Sequence, residues 1–457
     1  MTDIAELSAR ELLRAMRGKE ISPVEVCENT LAAADAAQHL QAFITIDAGG
    51  ALRAARESEA RITAGTPGPL EGLPFPLKDV EATRGLRTTN GSPLTADNVP
   101  AEDGATAAAI RASGANIFGK TNTSAFAYTD DSTNMLGLTS RNPLDTRRSA
   151  GGSSGGAASA VAGGICRVAH ATDGGGSARQ PAALCGLVGF KPTYGRVPRY
   201  PMSDLWNARS HSGVIGRTVD DVAVAMSGMA RFDPRDPLSV WETVDWASIA
   251  GAEPPRRPRI AYFPGWAGAP VDSGVERAAR RAVDVLVANG CEPVQVEVDT
   301  PSMSQVFEDN YTAQLLYDLR DSLDRLDLID DGILDGIERA SRLDLVDFMA
   351  SRDRRGRFNA AMVDLFDHID FFVSPAQSCE SWFVDVGPQA DGTPLPASSS
   401  ERMQLLLLFN LLGWPAISVP CGTTASGMPV GLQLAAIRGR DVSLLQMAYF
   451  AESLFTM

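Results

Sequence analysis

The chain has 457 residues, with 41 basic against 56 acidic side chains and a formal net charge of −15. Because 44% of its residues are hydrophobic and 21% are charged, it can bury a large core, which excludes an intrinsically disordered chain. Its acidic balance argues against binding to nucleic acid, since a basic surface is what captures phosphate backbones.

Membrane insertion and secretion are also disfavoured. The longest aliphatic and aromatic run, Leu405 to Phe409, is far shorter than the ~20 residues that span a bilayer. The first ten residues lack the basic region and apolar stretch of a secretory signal. The six cysteines show no CxxC or CxxH pairing. We therefore expect a cytoplasmic protein with free, mostly buried thiols and no structural metal.

Helix signals dominate the first sixty residues. Ser8 with Glu11, and Ser22 with Glu25, fit the capping box, and Pro23 stands at a first helical position. These signals predict helices over 8–18 and 23–38. An Ala/Arg-rich stretch predicts a third helix near 50–63.

Short β-like runs then alternate with helical or glycine-rich stretches. This alternation predicts an α/β fold with a mixed or largely parallel sheet. The runs are Pro74–Val80, Asn116–Lys120, Arg167–Thr172, Leu187–Lys191, Arg259–Phe263, Pro293–Val298, Ile369–Ser374, Ala416–Pro420 and Val430–Ala436.

Further helices are expected in the second half of the chain. Thr218 with Asp221 caps one, and 273–289 forms another that Gly290 closes. Residues 232–258 are rich in Pro and Asp and predict a long connection, whereas the acidic segment 318–338 predicts a solvated helix. Strands from both ends of the chain need one another for a sheet, so we expect a single domain over 1–457.

Two glycine-serine clusters carry the strongest chemical signal. The first covers 150–156 (AGGSSGG) and the second covers 172–181 (TDGGGSARQP). Glycines around a serine let backbone N–H groups approach a ligand closely. Such groups bind a phosphate or stabilise an oxyanion.

Neither cluster fits the common phosphate-binding motifs. No lysine follows at the P-loop spacing, and GxGxxG is absent. The nucleophile elbow GxSxG does match at Gly151–Gly155 and Gly152–Gly156, with His211 and His368 downstream. The preceding segment, DTRRSA, is not the apolar strand that an elbow follows. An α/β-hydrolase-type serine esterase is therefore the more distant alternative.

A chain with only four histidines needs another proton acceptor. Lys78 ends the apolar run GLPFPLK, and burial can lower a lysine pKa by several units, which makes a usable base. A lysine at the end of an apolar strand is more often a surface residue whose charged end reaches solvent.

Together these segments resemble the amidase signature family. GLPFPLKD (72–79) resembles its lysine motif, AGGSSGG its first serine motif and TDGGGSARQPAALCG (172–186) its nucleophile motif. The spacings of 75 residues from Lys78 to Ser153 and 24 from there to Ser177 also agree. The likeness covers nearly the whole chain, and 232–365 matches least well. It implies a large mixed β-sheet covered on both faces by α-helices, with 232–365 as a candidate substrate-covering segment.

The resemblance also implies the site. Ser177 would be the nucleophile, Ser153 a bridging serine preceded by a cis peptide bond, and Lys78 the base. The backbone N–H groups of Gly174, Gly175, Gly176 and Ser177 would face the oxyanion. Asp173 and Arg179 would brace this loop as an ion pair. No metal or cofactor is implied.

Departures from the family pattern bear on the function. Gly174 stands where the family commonly has threonine, and Ala125 replaces an acidic residue usual in the A-type component of glutamyl-tRNA amidotransferase. A stand-alone amidase, monomeric or homodimeric, is therefore expected, with an A-type subunit of a glutamine-dependent amidotransferase as the alternative.

The substrate is expected to be a small-molecule amide. Gln180, Tyr128, Met135 and Trp414 are the candidates for residues next to it, and the apolar set also includes Phe126, Leu136, Trp382 and Phe383. If such residues line the pocket, an aryl or alkyl amide, an anilide or a carbamate (urethane) fits better than a small polar amide.

Overall fold

The computed structural model describes residues 4–202, 209–251, 256–296, 301–384 and 399–455. Fourteen α-helices lie in these ranges: α1 (Ala9–Arg17), α2 (Pro23–Ala36), α3 (Ala48–Thr63), α4 (Ala105–Ala112), α5 (Gly155–Ala162), α6 (Arg179–Leu184), α7 (Val219–Met229), α8 (Ser273–Ala288), α9 (Ser304–Leu319), α10 (Asp331–Ser341), α11 (Leu345–Phe366), α12 (Ser399–Arg402), α13 (Gln404–Leu412) and α14 (Asp441–Phe455).

The same ranges contain fifteen β-strands, several of them only two residues long. They are β1 (Phe43–Ile46), β2 (Leu77–Lys78), β3 (Gly119–Thr121), β4 (Thr133–Asn134), β5 (Leu138–Thr139), β6 (Arg141–Asn142), β7 (Asp145–Ser149), β8 (Val168–Asp173), β9 (Val188–Lys191), β10 (His211–Gly216), β11 (Arg259–Tyr262), β12 (Glu292–Pro293), β13 (Phe371–Pro375), β14 (Ala416–Thr423) and β15 (Pro429–Ala435).

The N-terminal helices form where the capping signals predict them. Both capping boxes are present, and the Glu25 N–H donates to the Ser22 hydroxyl at 3.0 Å. Helix α3 begins two residues earlier than predicted, because the Asp47 carboxylate accepts the Gly50 N–H at 2.8 Å. A side-chain acceptor at a helix start satisfies backbone donors that have no partner within the helix.

The main sheet has eight strands in the order β12-β11-β13-β15-β14-β9-β10-β8. Only the two pairs that involve β11 are parallel, and the other five are antiparallel. The sheet is thus mixed, which confirms the first of the two predicted alternatives, and it is not largely parallel. A second sheet, in the order β1-β3-β2, places Lys78 at its edge strand.

Helices cover both faces of the main sheet, as the alternation along β13 illustrates. Phe371 and Val373 belong to an apolar cluster with α7, α8 and α14. Phe372, which points the other way, packs with α11 and α13. Because successive side chains of a strand point to opposite faces, a strand that is apolar at every position is buried between two helical layers.

Two predicted elements are wrong in extent. The run Pro74–Val80 is a strand only at Leu77–Lys78, because proline lacks the N–H that a ladder needs. The acidic segment 318–338 is not one helix. Helix α9 ends at Leu319 and α10 starts anew, since the Asp330 carboxylate accepts the Gly332 N–H at 3.0 Å and caps a second helix. The end of the run 293–298 lies outside the described residues.

The six cysteines are free thiols, and five of them are buried. Among the helices within the described ranges, none is both long and apolar enough to cross a membrane.

Glu452 predicts a pH-dependent stability. It accepts the Val219 N–H at the start of α7 at 3.0 and 3.2 Å. Burial, opposed by this hydrogen bond and assisted by nearby aspartates, raises the pKa of Glu452 to about 7. Because the folded pKa exceeds the unfolded value, the stabilisation is present at low pH and is lost as the pH rises through about 7.

We therefore expect Glu452→Gln to be more stable than the native protein at pH 8.5, by on the order of 1–2 kcal/mol, and to show no such gain at pH 5. Thermal unfolding of both proteins at the two pH values measures this difference. Parallel pH dependences of the melting temperature would contradict it.

Candidate active site

Three segments that are far apart in sequence meet at one buried point. Lys78 ends β2, Ser153 lies in the loop before α5, and Ser177 lies in the loop between β8 and α6. The Lys78 Nζ is 2.7 Å from the Ser153 Oγ and 2.9 Å from the Thr172 Oγ1. Ser153 and Ser177 line the same cavity. The structure thus brings together the three residues of the predicted catalytic set.

The environment of Lys78 favours a neutral amine. The side chain is fully buried, and burial is the main reason that its pKa lies well below the usual value for lysine. Arg199 lowers this pKa further, whereas Asp173 acts in the opposite direction. A neutral amine has a lone pair that can accept a proton from the hydroxyl it contacts.

The backbone around Ser153 is held from both sides. The peptide bond between Gly152 and Ser153 is cis. The Ser132 hydroxyl donates to the Ser153 carbonyl at 3.1 Å and accepts the Gly155 N–H at 2.8 Å. A Cβ on Gly152 would lie 2.5 Å from the Asp131 backbone nitrogen. Only glycine allows this approach, so the glycines of the first cluster serve close packing around Ser153.

The nucleophile loop presents fewer free donors than predicted. The Gly176 N–H donates to the Asp173 Oδ1 at 2.7 Å, so in this conformation it is already satisfied and does not face an oxyanion. This corrects the prediction for Gly176. The N–H groups of Gly174, Gly175 and Ser177 have no acceptor in the described part of the chain. Three backbone donors therefore remain for a developing negative charge.

The Ser177 hydroxyl makes no hydrogen bond to Ser153 in this structure. The Ser177 carbonyl accepts the Ser154 N–H at 3.3 Å, which ties the two serine loops together. Within the described residues its Oγ makes no hydrogen bond, and its side chain borders the cavity. Hydrogen bonds of a catalytic site are often long before substrate binds. The proton transfer between the two serines stays a prediction.

Asp173 and Arg179 form a buried ion pair behind this loop, with both side chains 0% exposed. Arg179 binds both carboxylate oxygens at 2.8 and 2.9 Å. It also donates to the Asn410 and Gln433 side chains at 2.6 Å. Burial acts to raise the pKa of Asp173, but Arg179 and Lys191 outweigh it, so this pKa lies below the usual range. The loop is thereby tied to α13 and β15.

We expect Arg179→Met to lower the free energy of unfolding by about 3–5 kcal/mol, because it leaves a buried carboxylate without a partner. The matched control is Arg147→Met, since Arg147 forms an exposed pair with Asp145 at 2.9 Å. Solvent screens such a pair, so its loss should have little effect on the free energy of unfolding. Denaturant unfolding measures both variants. Equal, small losses would contradict the expectation.

Of the four substrate-adjacent candidates, one lines a described cavity at Ser177 and three line neither of the two. Tyr128 lines a cavity with Ser177. Gln180 lines neither of the described cavities at Ser177, and its Oε1 accepts the Gly152 N–H at 3.2 Å, beside Ser153. Trp414 is buried and packs edge-on against Phe366 in the core. Met135 is 45% exposed in the β4–β5 hairpin. A role of these three residues next to the substrate stays a prediction, which their positions do not favour.

Sequence reasoning missed the residues that complete the cleft. Phe307 and Tyr311 from α9 and Arg209 before β10 face Ser177. None lies in a recognisable motif. The one signal was the departure at Gly174, since a Cβ there would lie 3.2 Å from the Arg209 Nη1. The missing side chain leaves room for a guanidinium.

Neither of the two histidines downstream of the first serine cluster that the α/β-hydrolase alternative requires, His211 and His368, contacts a serine of the cleft in the described part of the chain. The His211 Nδ1 is 2.7 Å from the Arg209 carbonyl oxygen, where it acts as donor, and His368 is exposed. Lys78 contacts Ser153 instead. The α/β-hydrolase alternative is therefore wrong.

Comparison with known proteins gives a consistent picture. A family model described as Amidase matches residues 25–445. The chain is 34% identical to the A-type component of the glutamyl-tRNA(Gln) amidotransferase of Aromatoleum aromaticum, over 97% of this chain and 96% of that protein.

Among solved structures, a bacterial aryl acylamidase of the amidase signature enzymes superposes with a TM-score of 0.91, at 29% identity over 98% of this chain and 96% of that one. The 6-aminohexanoate cyclic dimer hydrolase superposes with a TM-score of 0.90, at 26% identity over 100% and 98%.

Proposed function

This chain belongs to the amidase signature family, and from that premise we propose that it cleaves the C–N bond of carboxylic amides through an acyl-enzyme on Ser177. One observation carries the proposal. A fully buried Lys78 places its Nζ 2.7 Å from the Ser153 Oγ, in a cavity that Ser177 also lines.

The mechanism follows from the lowered pKa of Lys78. The neutral amine accepts a proton from Ser153, which accepts the proton of Ser177 as the Ser177 Oγ attacks the carbonyl carbon. The N–H groups of Gly174, Gly175 and Ser177 stabilise the negative charge that develops on the carbonyl oxygen.

The second half of the cycle reverses these proton transfers. Protonated Lys78 returns a proton through Ser153 to the nitrogen of the leaving amine, and the C–N bond breaks. Water then enters, loses a proton to the same relay and attacks the acyl carbon. The bond between the acyl carbon and the Ser177 Oγ breaks, and Lys78 returns that proton through Ser153 to the Ser177 oxygen. The products are a carboxylic acid and an amine, and Lys78 is again neutral.

We propose that residues 1–457 act as one amidase signature domain, with part of 232–365 over the substrate. Helix α9 supports this role, because Phe307 and Tyr311 border the cleft. Aryl and alkyl amides, anilides and carbamates are the proposed substrates, and the proposed active form is a monomer or a homodimer.

The second candidate is the A-type subunit of a glutamine-dependent amidotransferase. The 34% identity to such a protein over 97% of the chain favours this candidate over a stand-alone amidase. The superpositions on an aryl acylamidase and a cyclic dimer hydrolase support the amidase. Both candidates use the same acyl-enzyme chemistry. They differ in the fate of the nitrogen product, which a stand-alone amidase releases and an amidotransferase subunit delivers to a partner enzyme.

The purified chain separates the two candidates. We expect it to release p-nitroaniline from p-nitrobutyranilide and to cleave an aryl carbamate without any other protein. Turnover of glutamine alone, together with a partner protein that co-purifies in a fixed ratio, would favour the amidotransferase. Absence of turnover with the anilide, the carbamate and glutamine would contradict both.

A further inference from the structure

Within the described part of the chain, two cavities border Ser177. Both are bordered by Gly174, Ser177 and Tyr311. The first, of about 360 Å³, is also lined by Ser153 and is called the Ser153 arm here. The second, of about 290 Å³, is also lined by Met403 and is called the Met403 arm. A substrate with its carbonyl carbon at Ser177 therefore extends in two directions.

The proton path assigns one half of the substrate to each arm. The leaving nitrogen receives its proton through Ser153, so it must come within hydrogen-bond reach of the Ser153 Oγ. Ser153 lines only the first of the two cavities. The amine half of the substrate therefore occupies the Ser153 arm, and the acyl half occupies the Met403 arm.

The Ser153 arm contains a buried cation for which the described residues provide no carboxylate partner. Arg209 is 6% exposed, and burial is the main reason that its pKa is lowered, with no carboxylate of the described chain among the main causes. Its Nε has no hydrogen-bond partner among the described residues. The guanidinium carbon lies 4.0 Å from the centre of the Tyr311 ring, and the Tyr311 hydroxyl donates to the Ala127 carbonyl at 2.7 Å, which fixes the ring.

Free space beside the nucleophile loop allows this guanidinium to lie close to the reacting atoms. A side chain on Gly174 would meet the Arg209 Nη1 at 3.2 Å. Arg199 lines the same arm, and Asp318 is its exposed acidic residue. A buried guanidinium is stable only with an acceptor, and carboxylates match its geometry best.

The Met403 arm has the opposite character. Phe307, Met403 and Leu407 make it apolar close to Ser177. Its one cation among the described residues, Arg339, is paired with Glu308 at 3.1 Å. An anionic acyl group would find no free cation in that part of the described structure.

Building on the proposed function, we propose that Arg209 binds a carboxylate carried by the leaving amine. The substrate class is then an amide formed between an apolar acyl group and an amine that bears a carboxylate, such as an aminobenzoate. Arg209 is a specificity-determining residue for the amine half.

The test uses three anilides. In 4-(butanoylamino)benzoate the carboxylate lies on the amine half, 4-(butanoylamino)benzamide is its neutral counterpart, and N-phenylsuccinamate carries the carboxylate on the acyl half. We expect kcat/KM for the benzoate to exceed that for the benzamide by about tenfold or more, as one charge-assisted contact provides. N-phenylsuccinamate should show no such advantage.

Variants then assign the preference to Arg209. In Arg209→Met the ratio of benzoate to benzamide should fall to near one through KM, and Arg209→Lys should recover part of it. Arg53→Met, which removes an exposed guanidinium on α3, should keep the native ratio.

The inference is overturned if the native enzyme shows no preference for the benzoate, if it prefers N-phenylsuccinamate, or if Arg209→Met keeps the native ratio. The comparison of substrates on the native enzyme tests it even if the variants do not fold. Failure of the proposed function would look different, because then the neutral benzamide would not be cleaved at all.

Discussion

Ser177→Ala is expected to abolish amide cleavage, with kcat lower by about 10⁴- to 10⁶-fold. The alanine removes the oxygen that forms the acyl-enzyme, while the backbone N–H groups of the loop remain. The residual rate then reflects only binding and oxyanion stabilisation by the other groups. Steady-state hydrolysis of p-nitrobutyranilide measures kcat, and mass spectrometry of the stopped reaction checks that no acyl adduct accumulates.

Ser154→Ala is the matched control. Ser154 is also buried in this region, and its hydroxyl donates to the Thr172 carbonyl at 3.1 Å, but it lines neither arm of the cleft. We expect this variant to keep kcat within about tenfold of the native value, the scale of one lost neutral hydrogen bond. If Ser177→Ala retained the native kcat, another residue would have to be the nucleophile.

Lys78→Met should produce the second large loss, of about 10³-fold or more in kcat/KM, because the relay then lacks its proton acceptor. In the native enzyme the base is the neutral amine, and protonation at low pH removes it. Activity should therefore rise with pH through the pKa of Lys78, which burial holds well below the usual lysine value. The pH profile of kcat/KM measures this acidic limb.

Lys120→Met controls for the loss of any buried lysine. Lys120 lies on β3, next to β2, and burial lowers its pKa to about 8. Its Nζ donates to the Thr83 and Thr88 hydroxyls at 3.0 and 2.9 Å and has no contact with either serine of the cleft. We expect this variant to be less stable and to retain the acidic limb. An acidic limb that persists in Lys78→Met would remove Lys78 from the role of base.

Much of the fold and the core of the site could be predicted from the sequence, because those signals are local. The side chains of Ser8 and Ser22 accept hydrogen bonds from backbone N–H groups three residues further along the chain, which is why the helix starts were predictable. The lysine and serine motifs carry residue types that few other chemistries use at this spacing. Lys78 is one of only four lysines among the 41 basic residues of the chain. An arginine at its position could not be deprotonated to act as a base.

Direction and pairing of side chains could not be predicted, because packing between distant segments decides them. Gln180 follows Ser177 by three residues, yet it turns to the Gly152 N–H. The N–H of Gly176 binds Asp173 because Arg179 holds that carboxylate in place.

The sequence by itself determined the family, and with it the class of C–N bond hydrolysis, since these depend on which residue types are present and at what spacing. The tertiary structure alone decided what the cleft can hold. Tyr311 stacks on Arg209 from a helix about a hundred residues further along the chain, and no local pattern specifies that meeting. It follows from the packing of α9 against the nucleophile loop, where Phe307 lies next to Gly175. This packing helps to bury Arg209, and it supports the proposed role of Arg209 in binding a substrate carboxylate.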